Sequence, residues 1–187
     1  MDNFERSIDF TLKWEGGKNF NVVDGKPVIK GAAQNDPGGA TAYGITWNTL
    51  KTAYNLKIIS HNDICKLTVE EAKIIYKKNY WEKFHFEQIN WPACMCCFDC
   101  SVNHGGFAII LQNAVTDCGQ KLKRDGLYGP QTLNALINCE PFKLSNAIYI
   151  RRKDYYDKII NRNPKLGIYR KGWYKRAEDM AKVAGLL

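Results

Sequence analysis

Apolar residues recur at helical spacing from the start of the chain: Phe4 and Ile8, then Phe10, Leu12 and Trp14. That spacing predicts a helix over residues 3–14. Gly16-Gly17 stops it and leaves Glu15 at the helix end. Residues 18–46 are rich in Asn, Asp, Gly and Pro. Inside them, two short runs of β-branched residues, Val22-Val23 and Val28-Ile29, flank Asp24-Gly25, which predicts a β-hairpin. Pro27 keeps that hairpin short or at an edge. Asp36-Pro37-Gly38-Gly39 is a second turn signal.

From Thr46 onward the pattern is mostly helical. A helix is predicted from Thr46 to about Asn55. Thr68 with Glu71 three residues later has the form of a capping box, and that helix should run to about Lys78. Tyr80-Trp81 and a loop to Pro92 follow. Residues 93–117 predict one long apolar helix, bent at Gly105-Gly106. Asp125 to Pro130 reads as a turn, and Gln131–Ile137, Leu144–Ile160 and Gly172–Ala184 as further helices. No repeat, linker or low-complexity segment interrupts the chain. The fold class expected is mainly α, with a small hairpin near residues 20–31.

The length of 187 residues suits one core, or one core with a small companion module. The net charge of +8 points to an anionic partner such as a cell wall, a membrane surface or nucleic acid. Much of the charge lies in the last third, at Arg151-Arg152-Lys153, Arg170-Lys171 and Lys175-Arg176. Tyr155, Tyr156, Tyr169, Trp173 and Tyr174 interleave with it. Such a mixture suits single-stranded nucleic acid, but no nucleic-acid-binding motif accompanies it. A solvated basic face on amphipathic helices is the reading preferred. No apolar run is long enough to span a bilayer, and the first residues lack the pattern of a signal peptide.

Seven cysteines at irregular spacing do not form a secreted disulfide framework. Cys97 and Cys100 have the spacing of half a zinc site, but no second pair completes it. Cys94, Cys96, Cys97 and Cys100 are expected as small, reduced, buried residues on a core helix. No metal and no cofactor are expected.

The chemistry concentrates near the N-terminus. Cleaving a glycosidic bond needs a protonated carboxyl to donate to the leaving oxygen, and a second group to place water or balance positive charge. Glu15 is the candidate acid. An apolar neighbour disfavours the charged form of a carboxyl, and Trp14 adjoins Glu15. Taken alone, Glu15-Gly16-Gly17 fits a surface glutamate at a helix end equally well.

Combined with Asp36-Pro37-Gly38-Gly39-Ala40-Thr41-Ala42-Tyr43-Gly44-Ile45-Thr46, it resembles the signature of glycoside hydrolase family 108. These are lysozyme-like N-acetylmuramidases of phage endolysins and bacterial secretion systems. Tyr80-Trp81, Asp99-x-x-x-Asn103-x-Gly105 with Ala108 and Gln112, Asp125-Gly126-x-x-Gly129-Pro130-x-Thr132, and Gly172-Trp173-x-x-Arg176 extend the resemblance over nearly the whole chain. The later part resembles the family's predicted peptidoglycan-binding region.

The resemblance implies a lysozyme-like catalytic part over residues 1–92 and a helical wall-binding part over 93–187, packed as one unit. It implies cleavage of the β-1,4 bond between N-acetylmuramic acid and N-acetylglucosamine. Glu15 would be the general acid, Asp36 the stabiliser or base, and Thr41 a hydroxyl that positions water. Tyr43 and Asn103 would contact substrate. The stretch from Val22 to Gln34 is inserted relative to the family pattern, which makes Asp24 a rival to Asp36.

Peptidoglycan glycan strands are the expected partner, with no nucleic acid, no membrane insertion and a monomeric state. The expected route is synthesis in the bacterial cytoplasm without a signal peptide, then action on the wall after holin- or secretion-dependent release. The alternative is a non-catalytic wall-binding or secretion-accessory protein on the same fold. Retention of Glu15 favours the enzyme.

Overall fold

The structure, a computed structural model, describes residues 2–30 and 39–187. By its internal contacts the chain divides into two units. One is Ile8–Asn79; the other joins the N-terminal residues through Ser7 to Tyr80–Leu187.

The first helix, α1 (Asn3–Glu15), ends in the Ile8–Asn79 unit. The predicted hairpin follows as β1 (Phe20–Val23) and β2 (Lys26–Ile29), antiparallel and in register from Phe20↔Ile29 to Val23↔Lys26. The chain reverses at Asp24 (φ 50°) and Gly25 (φ 73°), the pair of left-handed residues that a tight hairpin turn demands. A second, shorter ribbon pairs β3 (Thr41–Ala42) with β4 (Ile45–Thr46). Thr46 caps α2 (Trp47–Asn55), its hydroxyl accepting from the Thr49 N–H at 3.2 Å. The Thr68/Glu71 capping box opens α3 (Val69–Tyr76). The helix continues past the predicted end as a π-helical stretch, Lys77–Glu82.

In the other unit, α4 (Ala93–Asn103) is buried on all sides from Ala93 to Ser101. A helix buried around its whole circumference belongs at the centre of a core. It packs against α5 (Phe107–Asp117) and α7 (Pro141–Arg162). α7 also packs against α5 and α8 (Arg170–Val183), while α6 (Pro130–Ile137) sits on α5. Phe4, Trp81, Phe86 and Phe98 meet edge to face in this core. Cys94, Cys96, Cys97 and Cys100 are buried free thiols on α4, as expected. Burial raises Cys94 to about 11 and Cys96 and Cys100 to about 12, so they stay protonated and unreactive.

The architecture is mainly α with a small hairpin, as the sequence predicts. Two details differ. Residues 93–117 are two helices rather than one bent helix. The break falls at His104, whose extended backbone (φ −130°, ψ 124°) ends α4. The helix expected from Leu144 begins at Pro141. The Glu140 carboxylate caps it, accepting from Phe142 N–H at 3.0 Å and Lys143 N–H at 2.6 Å, and Pro141 suits the first helical position.

Candidate active site

Glu15 is the last residue of α1 and is half-buried. Gly16 (φ 75°) takes the left-handed conformation that ends the helix, its N–H donating to Leu12 O at 3.2 Å. The chain then runs beside residues 39–43. Asn19 N–H donates to Thr41 O at 3.0 Å, and Thr41 N–H to Asn19 Oδ1 at 2.8 Å. Asn19 Nδ2 donates to Gly39 O at 3.1 Å, and Tyr43 N–H to Gly17 O at 3.2 Å. These bonds stitch the β3–β4 ribbon to the segment that leaves α1.

The turn of that ribbon therefore closes over the helix end. Tyr43 (φ 55°) and Gly44 (φ 77°) are both left-handed, and a bulky residue there is strained. The Tyr76 hydroxyl on α3 donates to the Tyr43 carbonyl at 3.0 Å and braces the turn. A Cβ on Gly44 would clash with the Tyr76 hydroxyl, and would lie 2.9 Å from Glu15 Oε2 and 3.0 Å from Glu15 Cβ. Carboxylate, phenol and turn backbone thus converge on one point. Trp14 is half-buried; among the described residues its indole N–H is enclosed and has no hydrogen-bond partner.

Of the residues the sequence singles out, Glu15, Thr41 and Tyr43 lie in this one arrangement, each half-buried. Thr41 sits opposite Thr46 in the ribbon. Asp24 is exposed in the β1–β2 turn, whose conformation accounts for an Asp there. Asp36 lies outside the described residues. Asn103 belongs to the other unit. The sequence reading missed Tyr76, whose helical spacing marks it only as core. It quoted Gly44 within the motif without seeing that the glutamate needs the space.

Asn103 stands at the edge of a buried polar network. Asp99 on α4 accepts from Arg152 Nη1 at 2.8 Å and Arg176 Nη2 at 2.7 Å, with Asp99 and Arg152 wholly buried. Arg152 Nη2 reaches Asn103 Oδ1 at 3.4 Å, and its Nε donates to the Tyr156 hydroxyl at 3.3 Å. That hydroxyl lies 3.2 Å from His104 Nε2. Burial alone would raise the Asp99 carboxyl; the Arg176 and Arg152 guanidiniums outweigh it and hold it well below the usual range. Burial, then Arg152, pushes the His104 imidazole down to about 2. The Asp99 and Arg176 motifs are therefore two halves of one ion pair. A second motif has a similar explanation. Gln112 Nε2 donates to Asp125 Oδ1 at 2.8 Å and Leu127 O at 3.0 Å, while Gly126 N–H donates to Gln112 Oε1 at 2.8 Å. One buried amide fixes the Asp125–Thr132 loop.

Residues 8–105 match the sequence profile of the family described as Glycosyl hydrolase 108. The chain belongs to that family. Residues 108–178 match the Predicted Peptidoglycan domain. Among solved structures, that of Brucella abortus SagA resembles the chain with a TM-score of 0.69 at 24% identity, over 97% of this chain and 92% of that one. The likeness is one of fold. No curated protein matches the sequence. The glycosyl hydrolase 108 span holds Glu15, Thr41, Tyr43 and Asn103. The peptidoglycan span holds Gln112, Arg152 and Arg176. Together the spans make this glycosyl hydrolase 108 protein a peptidoglycan-acting glycoside hydrolase of the lysozyme-like kind, whose target is the cell wall. Among the described residues no helix is long and apolar enough to cross a membrane.

Proposed function

We propose that the protein is an N-acetylmuramidase, hydrolysing the β-1,4 bond between N-acetylmuramic acid and N-acetylglucosamine with Glu15 as general acid. The observation that supports this is the convergence of the Glu15 carboxylate on Gly44, under a turn braced by Tyr76. A carboxyl held against rigid backbone donates its proton from a fixed place, so little reorganisation is needed at the moment of bond breaking. In this reading Glu15 protonates the leaving oxygen. The Thr41 hydroxyl positions water, Tyr43 lines the cleft and Asp36 stabilises the positive charge that develops on the sugar. Asn103 is assigned a contact to substrate. Catalysis is assigned to the part before residue 93 and wall recognition to the part after it. The protein works as a monomer without metal or cofactor, and reaches the wall through a holin or a secretion route.

The test is mass spectrometry of muropeptides released from purified peptidoglycan by wild type and Glu15→Gln. Products with reducing-end N-acetylmuramic acid, absent with the variant, are expected. Reducing-end N-acetylglucosamine would overturn the bond assignment. Full activity of the variant would overturn the role of Glu15.

A further inference from the structure

Helices α5 and α7 enclose a cavity of about 260 Å³ that the catalytic reading does not use. It lies wholly within the span matching the Predicted Peptidoglycan domain. One face of α7 supplies Arg151, Tyr155, Lys158 and Arg162, spaced four, three and four residues apart, so that they share one side of the helix. The apolar lining includes Ile109 from α5 and Ile159 from α7, both half-buried.

The charges divide into two kinds. Arg151 is committed: its guanidinium holds Asp117 through two bonds of 2.6 Å and Asp154 through one of 2.9 Å. Lys158 and Arg162 are exposed and, among the described residues, pair with no carboxylate. Tyr155 is fixed in place. Its hydroxyl packs so close to Gly106 that a Cβ there would come within 2.7 Å of it, and its ring meets His104 at 5.6 Å between centroids. The result is a preformed pocket with an apolar wall, an aromatic side, the paired Arg151 and Asp154 in its lining, and, among the described residues, two cations that no carboxylate neutralises.

We propose that this pocket binds the acidic stem peptide of peptidoglycan, with a peptide carboxylate on Lys158 and Arg162 and an alanine methyl against Ile109 and Ile159. The proposal rests on the reading that the wall is the substrate. Size favours the peptide over the glycan. Pockets for whole small-molecule ligands run to roughly 300–1,000 Å³, so this one suits a residue-sized group rather than a run of sugar rings. Charge favours it too. The glycan rings carry neutral hydroxyls and acetamides, whereas the stem peptide carries free carboxylates, which guanidinium and ammonium groups bind by charge-assisted hydrogen bonds.

The experiment is calorimetric titration of the full chain with a synthetic stem tetrapeptide, its fully amidated form and a neutral chitooligosaccharide, for wild type and Lys158→Gln/Arg162→Gln. Both substitutions are at exposed positions, and circular dichroism checks the fold. The acidic peptide is expected to bind wild type at least about tenfold more tightly than the double variant, with the amidated peptide weakened to the same degree. Equal binding by wild type and double variant, or by the acidic and amidated peptides, would overturn the site. So would failure of wild type to bind the acidic peptide. Muropeptide release by the same wild-type preparation separates the two readings. Release without peptide binding leaves the muramidase standing and removes this site. Selective peptide binding without release supports this site and removes the muramidase.

Discussion

Gly44 and Glu15 are fitted to each other. The glycine has no Cβ, and the space that atom would occupy lies 2.9 Å from a Glu15 carboxylate oxygen and 3.0 Å from Glu15 Cβ. The same residue needs φ 77° to close the β3–β4 turn, a conformation open to glycine at no steric cost. Two independent demands, one on the backbone and one on the neighbouring acid, fall on a single position.

Gly44→Ala separates those demands from general strain when compared with Gly25→Ala. Gly25 has φ 73° but nothing within 4 Å of its missing Cβ. Each variant should lose about 1 kcal/mol or more of stability from the left-handed backbone alone. Only Gly44→Ala should also displace the Glu15 carboxylate and the Tyr76 hydroxyl. Urea denaturation and muropeptide release check this. Equal activity loss in the two variants would mean that the close approach at Gly44 has no catalytic consequence.

Tyr76→Phe removes the hydroxyl that donates to the Tyr43 carbonyl at 3.0 Å while keeping the buried ring. The loss of one such bond should lower stability by about 1 kcal/mol. If the hydroxyl also positions Glu15 through the turn, kcat should fall about tenfold, equivalent to about 1.4 kcal/mol, with KM unchanged. A variant with lowered stability and unaltered kcat would reduce Tyr76 to a structural brace.

What the sequence disclosed and what it withheld follow the range of the interactions. The Asp24-Gly25 hairpin and the Thr68/Glu71 capping box were legible because each is closed by residues within a few positions. The local signal for α7 was also present in Glu140 and Pro141, but apolar spacing placed the start three residues late. At the break after α4, His104 buries its ring against Tyr156, 52 residues later, a contact with no local signature, and two glycines alone read only as a bend. Asp99 and Arg176 were both noticed as motif residues, yet their pairing spans 77 residues and has no local signature. Glu15 and Tyr43 could be read from the motif. Tyr76 could not, because a tyrosine in an apolar helical stripe looks the same whether its hydroxyl is idle or bracing a turn.

Asp99→Asn should be the most destabilising of the conservative changes considered. It leaves Arg152 and Arg176 buried without their shared counter-charge. Breaking a buried pair in this way costs about 3–5 kcal/mol. Asp117→Asn is the useful contrast. Its bonds to Arg151 are short at 2.6 Å, but both side chains are about one-third exposed. Solvent screening limits that pair to about 1 kcal/mol. Denaturation midpoints at neutral pH test the ranking, and a larger loss for Asp117→Asn would contradict it.

Acid should lower the stability of the folded protein in two stages, and His104 sets the first. Its imidazole is held down to about 2, first by burial and then by Arg152, against 6.5 for the free group. The folded state therefore refuses a proton that the unfolded state accepts. Stability from this group is fully present above about pH 6.5 and falls as the pH drops below it, by at most about 1.4 kcal/mol per unit. The loss levels off only as the pH reaches the folded value. Asp99 is also depressed in the folded state, by its two arginines. Its contribution is intact above the ordinary carboxylate range near 4 and is lost below it. The hydrogen bonds show why His104 stays neutral. Tyr156 oxygen accepts from Arg152 Nε at 3.3 Å, leaving its hydrogen to face His104 Nε2 at 3.2 Å. A proton on that nitrogen would oppose the hydroxyl hydrogen beside a buried guanidinium. His104→Gln keeps an acceptor in place but cannot titrate. Stability of this variant, measured by urea denaturation from pH 7 to 4.5, should be nearly flat, while wild type declines. Parallel slopes for the two proteins would show that another group controls the first stage.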